Sequence, residues 1–177
     1  MERRRIRNWE IGEFIFISVL GTLLHFVYEW TGKQQVVAAF SAVNESTWEH
    51  LKLLFYPVLF YTVLQYLFLR KEVPCLWSIK ARAVLIGLAF IVVFFYTYSG
   101  ILGTNYAWLD IGSFYVSALL VSIYSYQMAK KKKTGCHSAL WIGVWLVMLG
   151  LFIGFTYQPP DLGIFRPPVL MAENYQK

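Results

Sequence analysis

Five apolar runs, each about as long as a bilayer is thick, leave this chain few ways to fold. They cover residues 11–30, 48–69, 83–102, 107–128 and 138–157. A helix rises about 1.5 Å per residue, so roughly twenty residues cross about 30 Å of hydrocarbon. The chain has 177 residues, of which 58% are hydrophobic and 15% charged. An ordinary soluble domain is about 25% charged. A soluble fold this small cannot hide so much apolar surface, so lipid must cover much of it. The expectation is an all-α polytopic bundle, one integral membrane domain over residues 1–177, with the lipid bilayer as its main partner.

The formal net charge is +6. Nucleic-acid binding would be one use for it, but the cations fall between the apolar runs, where they read as the positive-inside signal. Arg3, Arg4, Arg5 and Arg7 precede the first run. Arg70, Lys71, Lys80 and Arg82 form the second basic segment, and Lys130 to Lys133 the third. The segments between them, near residues 31–46 and 103–106, hold a single lysine. Five spans with a cytoplasmic N-terminus and an outer C-terminus satisfy every loop. The predicted location is the cell membrane, multi-pass, with no nucleic-acid partner.

The basic start and first apolar run resemble a signal peptide, but no small-residue cleavage site follows and the run contains His25 and Glu29. It is predicted to be the first span. Residues 31–43 are too short and mixed to cross; 36–43 can form a short interfacial or re-entrant helix. Asn44 is an N-cap candidate for the second span, with Glu45 in its first turn. Pro57 is expected to kink that span. Cys75 and Cys136 lie in basic loops and are expected as free thiols. The tail after 157 is proline-rich and should be irregular.

The topology gives the polar residues meaning. His25, Glu29, Asn44, Glu45, Glu49, His50 and Asp110 come from three spans, yet all fall near the outer ends. Ionisable groups are costly at that depth and mark functional sites by default. His25 and Glu29 lie four apart on one helix face, so Glu29 can partner the imidazole. Glu45 and Glu49 share a face in the same way. Glu45 also suits helix capping, and Lys52, three residues after Glu49, can neutralise it. His25, Glu49, His50 and Asp110 together make a nitrogen-and-oxygen ligand set suited to zinc or another divalent metal. They do not form HExxH or any compact metal motif. Gly150 and Gly154 form a GxxxG on the last span, a face for close helix packing within the fold or in a homo-oligomer.

The stretch Asn44-Glu45-Ser46-Thr47-Trp48-Glu49-His50-Leu51-Lys52, with Phe155-Thr156-Tyr157-Gln158-Pro159-Pro160 after the last run, resembles a group of small bacterial multi-spanning membrane proteins classed as a domain of unknown function. Length and span count agree with it. The resemblance implies the membrane fold and no activity. Such proteins are expected to carry an acidic residue after Phe165, where this chain has Arg166.

Three functions fit these residues. The first is binding or transport of a cation or small polar solute at the His/carboxylate site. Against a full path, Gln65 and Ser125 are among few polar residues in the inner halves of the spans. The second is a metal-dependent membrane hydrolase, with Glu49 as the candidate general base for a metal-bound water. The third is a structural or partner-binding subunit, in which the polar cluster only joins helices.

Overall fold

The computed structural model describes residues 2–131 and 136–168. Lys132 and Lys133 of the lysine run, and the last nine residues of the tail, lie outside them. The five predicted spans are all helices: α1 (Glu2–Trp30), α3 (Thr47–Leu69), α4 (Leu76–Leu102), α5 (Ala107–Ala129) and α6 (Ser138–Tyr157). A single turn, α2 (Gln35–Ala38), precedes α3, and a 3-10 turn (Gly163–Phe165) follows α6. The described residues contain no strand. Each of the five is long and apolar enough to cross a membrane.

Helix α3 is the axis of the bundle. Of its apolar window 61% is buried, against 17–28% for the other four. A helix that is apolar all round belongs in the middle, and α3 packs against both α1 and α4. Helix α5 closes the ring by packing on α1 and α4, and α6 lies outside against α4. Leu54, Phe55, Tyr56 and Val58 of α3 are fully buried beside Ile17, Val84, Val121 and Phe152. The outward faces keep Ile15, Val19, Leu67, Val93, Leu119 and Leu146 exposed, a surface compatible with lipid contact. Gly150 and Gly154 of α6 border open space, so their GxxxG is not a packing seam among the described residues.

Pro57 sits inside α3 and has no N–H for the carbonyl of Leu53. That carbonyl faces Gly21 of α1, where an added Cβ would lie 2.5 Å from it. The two helices therefore meet at a contact that only glycine permits.

Three expectations are corrected. Helices α1 and α4 begin at Glu2 and Leu76 rather than near residues 11 and 83. Their polar first turns are helical, so Lys80 is not a solvated loop charge; it lies in α4 and is fully buried. The cap of α3 is Ser46, whose side chain accepts from the Glu49 amide, and not Asn44. Asn44 instead accepts from the Ser46 amide at 2.8 Å, an Asx turn leading into the helix. Cys75 and Cys136 are not free thiols but a disulfide, with their Cα atoms 5.1 Å apart. Cys75 precedes α4 and Cys136 precedes α6. The antiparallel α4–α5 hairpin returns the chain to the same end and brings them together.

Candidate metal centre

One turn before its end, α1 carries His25. The Asx turn and the Ser46 cap place Glu45 just before α3, and His50 one turn inside it. Glu45 thus reaches out from a non-helical residue toward both histidines. Its Oε2 is 3.4 Å from Nε2 of His50, and its Oε1 is 3.8 Å from Nε2 of His25. The two imidazoles face each other with centroids 5.3 Å apart. One ligand atom from each of the three residues lies within 4.8 Å of the others. Donors about 2.0–2.1 Å from a tetrahedral zinc stand roughly 3.3 Å from one another, so small side-chain adjustments would let these three hold an ion.

The orientation of His50 is set from behind. Its Nδ1 is 2.9 Å from the carbonyl of Ser46, which can only accept. Nδ1 therefore carries a hydrogen; Nε2 donates to Glu45 while the ring is protonated, and would offer its lone pair to an ion between Glu45 and His25 once that proton has left. The Nδ1 of His25 is buried without a hydrogen-bond partner among the described residues. Glu45 is held ionised: the hydrogen bond from His50 pulls its carboxyl below the ordinary value of 4.5, and half-burial opposes this only in part.

The three residues border a cavity of about 510 Å³. Its walls are mostly apolar, from Phe26, Leu53, Ile91, Phe95, Ile111 and Phe114. Asp110 enters from α5, held by the Tyr98 hydroxyl and, at 3.2 Å, by the Asn105 amide. It lines the same cavity without joining the three-residue cluster. A zinc ion held by two imidazoles and one carboxylate would keep a fourth position for a water or a further ligand.

The other residues singled out from sequence lie elsewhere. Glu29 is exposed and reaches Lys33 at 3.5 Å, not His25, because it sits on the last turn of α1 beside the loop. Asn44 is occupied by its turn. Glu49 points away from the histidines. Its Oε2 is 2.6 Å from Nζ of the fully buried Lys52 and accepts from the Val43 amide at 2.9 Å. Lys52 also donates to the carbonyl of Ala38 and the hydroxyl of Thr156. That pair ties α2, α3 and α6 together. Glu45 and Glu49 look equivalent by spacing, but the cap between them sends one to the histidines and the other to the lysine.

A second polar cluster was not anticipated. Lys80 of α4 lies 2.7 Å from Oε2 of Glu10 and 2.6 Å from Oε2 of Glu13, all three buried at the opposite end of α1. The sequence offered a faint signal, two carboxylates three apart at the edge of an apolar run. Their cation lies some seventy positions away.

No curated protein and no solved structure matches the chain. A family model does match, over residues 1–172, nearly the whole length. The protein thus belongs to DUF6512, a family of unknown function.

Proposed function

We propose that this is a multi-pass membrane protein that binds a divalent transition metal, zinc by its donor set, through His25, Glu45 and His50. The observation that carries the proposal is the convergence of three ligand atoms from separate segments within 4.8 Å. The Ser46 carbonyl supports it by fixing the tautomer of His50. His25, Glu45 and His50 line the cavity, so an ion held by them would meet whatever enters there. Arg3, Arg4, Arg5, Arg7, Arg70, Lys71 and Lys130 gather at the far end of the helices; by the positive-inside rule this supports a cytoplasmic N-terminus and a metal site near the outer face.

The test is a zinc titration of the purified protein against a chromophoric chelator. One ion per chain, lost in His25→Ala and His50→Ala and weakened in Glu45→Gln, is the expected result. A wild-type protein that takes no zinc from the chelator overturns the proposal.

A metal-dependent hydrolase is the second reading. Asp110, on the same cavity as the cluster, favours it, because a carboxylate near a metal-bound water can serve as general base. Hydrolysis of a fluorogenic acyl ester by the zinc-loaded protein, lost in Asp110→Asn with zinc affinity retained, is what this reading expects. Equal turnover by the metal-free protein contradicts it.

A further inference from the structure

The cluster at the other end of α1 is independent of the metal proposal. His25 and Glu10 are fifteen residues apart, about 22 Å at 1.5 Å per residue. Lys80 and Glu13 have no solvent exposure and Glu10 has 4%. Gln65 of α3 is also fully buried and donates its Nε2 to Oε1 of Glu10 at 3.2 Å. Three helices therefore deliver two carboxylates, one ammonium and one amide to a buried site.

The site does not balance as two carboxylates and one ammonium. One negative charge is left over, and an uncompensated charge in such surroundings costs several kcal/mol. The hydrogen bonds do not balance either. Oε1 of Glu13 and Oε1 of Gln65 are buried acceptors with no donor among the described residues. A buried acceptor left unsatisfied costs about 1–3 kcal/mol. One proton on Glu13 removes the excess charge and supplies a donor where donors are lacking. A hard metal cation would need about six oxygen ligands, and only two are unengaged.

We propose that Glu13, Glu10 and Lys80 form a buried proton-binding site that holds one exchangeable proton at neutral pH, reached through the cavity beside Glu10. That cavity, about 180 Å³, is lined by Arg7, Glu10, Phe14, Ser122, Ile123 and Tyr126, among others. Other polar groups face the site as follows. From α3, the Tyr61 hydroxyl donates to the Trp9 carbonyl at 2.9 Å. From α5 come Tyr126 and the neutral hydroxyl of Ser122, both on the cavity wall. From α1 comes Arg7, on the cavity wall. Arg82 of α4 is engaged by the Ser78 carbonyl and the Trp141 ring. None supplies a second buried cation. Ionisable groups placed inside a helix bundle are the usual elements of proton relays.

Infrared titration of the full chain in lipid nanodiscs tests the assignment. At neutral pH the wild type should show the carbonyl stretch of a protonated carboxyl, equal to one group per chain, which shifts on transfer to heavy water. Glu13→Gln should remove the band. Lys80→Met, which leaves two carboxylates with no cation, should double it. Ser122→Phe, which fills the cavity, should slow the heavy-water shift without changing the band. Absence of the band in the wild type overturns the proposal without need of any variant. So does its persistence in Glu13→Gln and Glu10→Gln, or its loss in Asp110→Asn, which would place the proton elsewhere. A band that never shifts in heavy water would mark a fixed structural proton and contradict exchange.

Discussion

Replacing Glu49 separates a residue that holds the fold from one that binds metal. The Lys52 ammonium is fully buried and has three partners: Glu49 at 2.6 Å, the Ala38 carbonyl at 2.8 Å and the Thr156 hydroxyl at 2.9 Å. Glu49→Gln keeps the shape, and the new amide oxygen can still accept from Val43. It leaves the cation with neutral partners only. Breaking a buried pair from one side costs about 3–5 kcal/mol. At about 1.4 kcal/mol per decade, that is two to three and a half decades in the unfolding equilibrium. Adding Lys52→Met removes the orphaned charge and should restore most of the loss, a coupling of about 3 kcal/mol in a double-mutant cycle. Thr156→Val removes one hydrogen bond to a charged donor and should cost about 1.5–3 kcal/mol. Unfolding in mixed micelles, followed by helical circular dichroism, gives the stabilities, and the chelator titration gives the zinc affinity of each folded variant. The account requires a large stability loss with zinc affinity unchanged. Glu49→Gln of wild-type stability, or one that no longer binds zinc, would refute the assignment of Glu49 to the lysine.

Glu45 makes the metal-free protein acid-sensitive in a defined sense. Its carboxyl is depressed in the folded state, so its contribution is complete above an ordinary value of 4.5 and fades as pH falls through the lower folded value. Unfolding midpoints should drop over that acid window in the wild type and stay flatter in Glu45→Gln; identical profiles would remove the His50–Glu45 bond from the account. Gly21→Ala should cost about 1–3 kcal/mol, because its Cβ would meet a backbone carbonyl that cannot move as a side chain can; a stability equal to wild type would mean that α1 and α3 do not touch there. The Cys75–Cys136 bond predicts that denatured, unreduced protein takes up no maleimide and that reduction exposes two thiols. Disulfides persist in oxidising compartments. Maleimide uptake without reduction would refute the bond, and a bond found intact in freshly broken cells would put the basic end in an oxidising compartment, against the orientation proposed from charge.

The spans were readable because their evidence is local: some twenty apolar residues in a row need no partner to be recognised. The short turn before α3 was also legible, though α2 is only four residues long. Its last carbonyl bonds Lys52, an interaction fourteen positions away that no window contains. The starts of α1 and α4 were missed for the same reason. Arg3 to Arg7 and Lys80 look like loop cations until the partners of Lys80, Glu10 and Glu13, are brought to it across 70 and 67 residues. Cys75 and Cys136, 61 residues apart, were hidden likewise. At the candidate site, depth along the helices brought forward His25, His50 and Asp110. The carboxylate that meets the two histidines depends on a cap. Ser46 begins α3 between Glu45 and Glu49, and side-chain spacing cannot show where a helix starts.

The most direct measurement is X-ray absorption at the zinc edge of the loaded protein. The account predicts a first shell of light atoms near 2.0–2.1 Å, with the outer-shell scattering of two imidazoles. That signal should fall to one imidazole in His25→Ala and in His50→Ala, and should keep both in Glu49→Gln. A spectrum with sulfur ligands, with no imidazole scattering, or unchanged in both histidine variants would contradict the site.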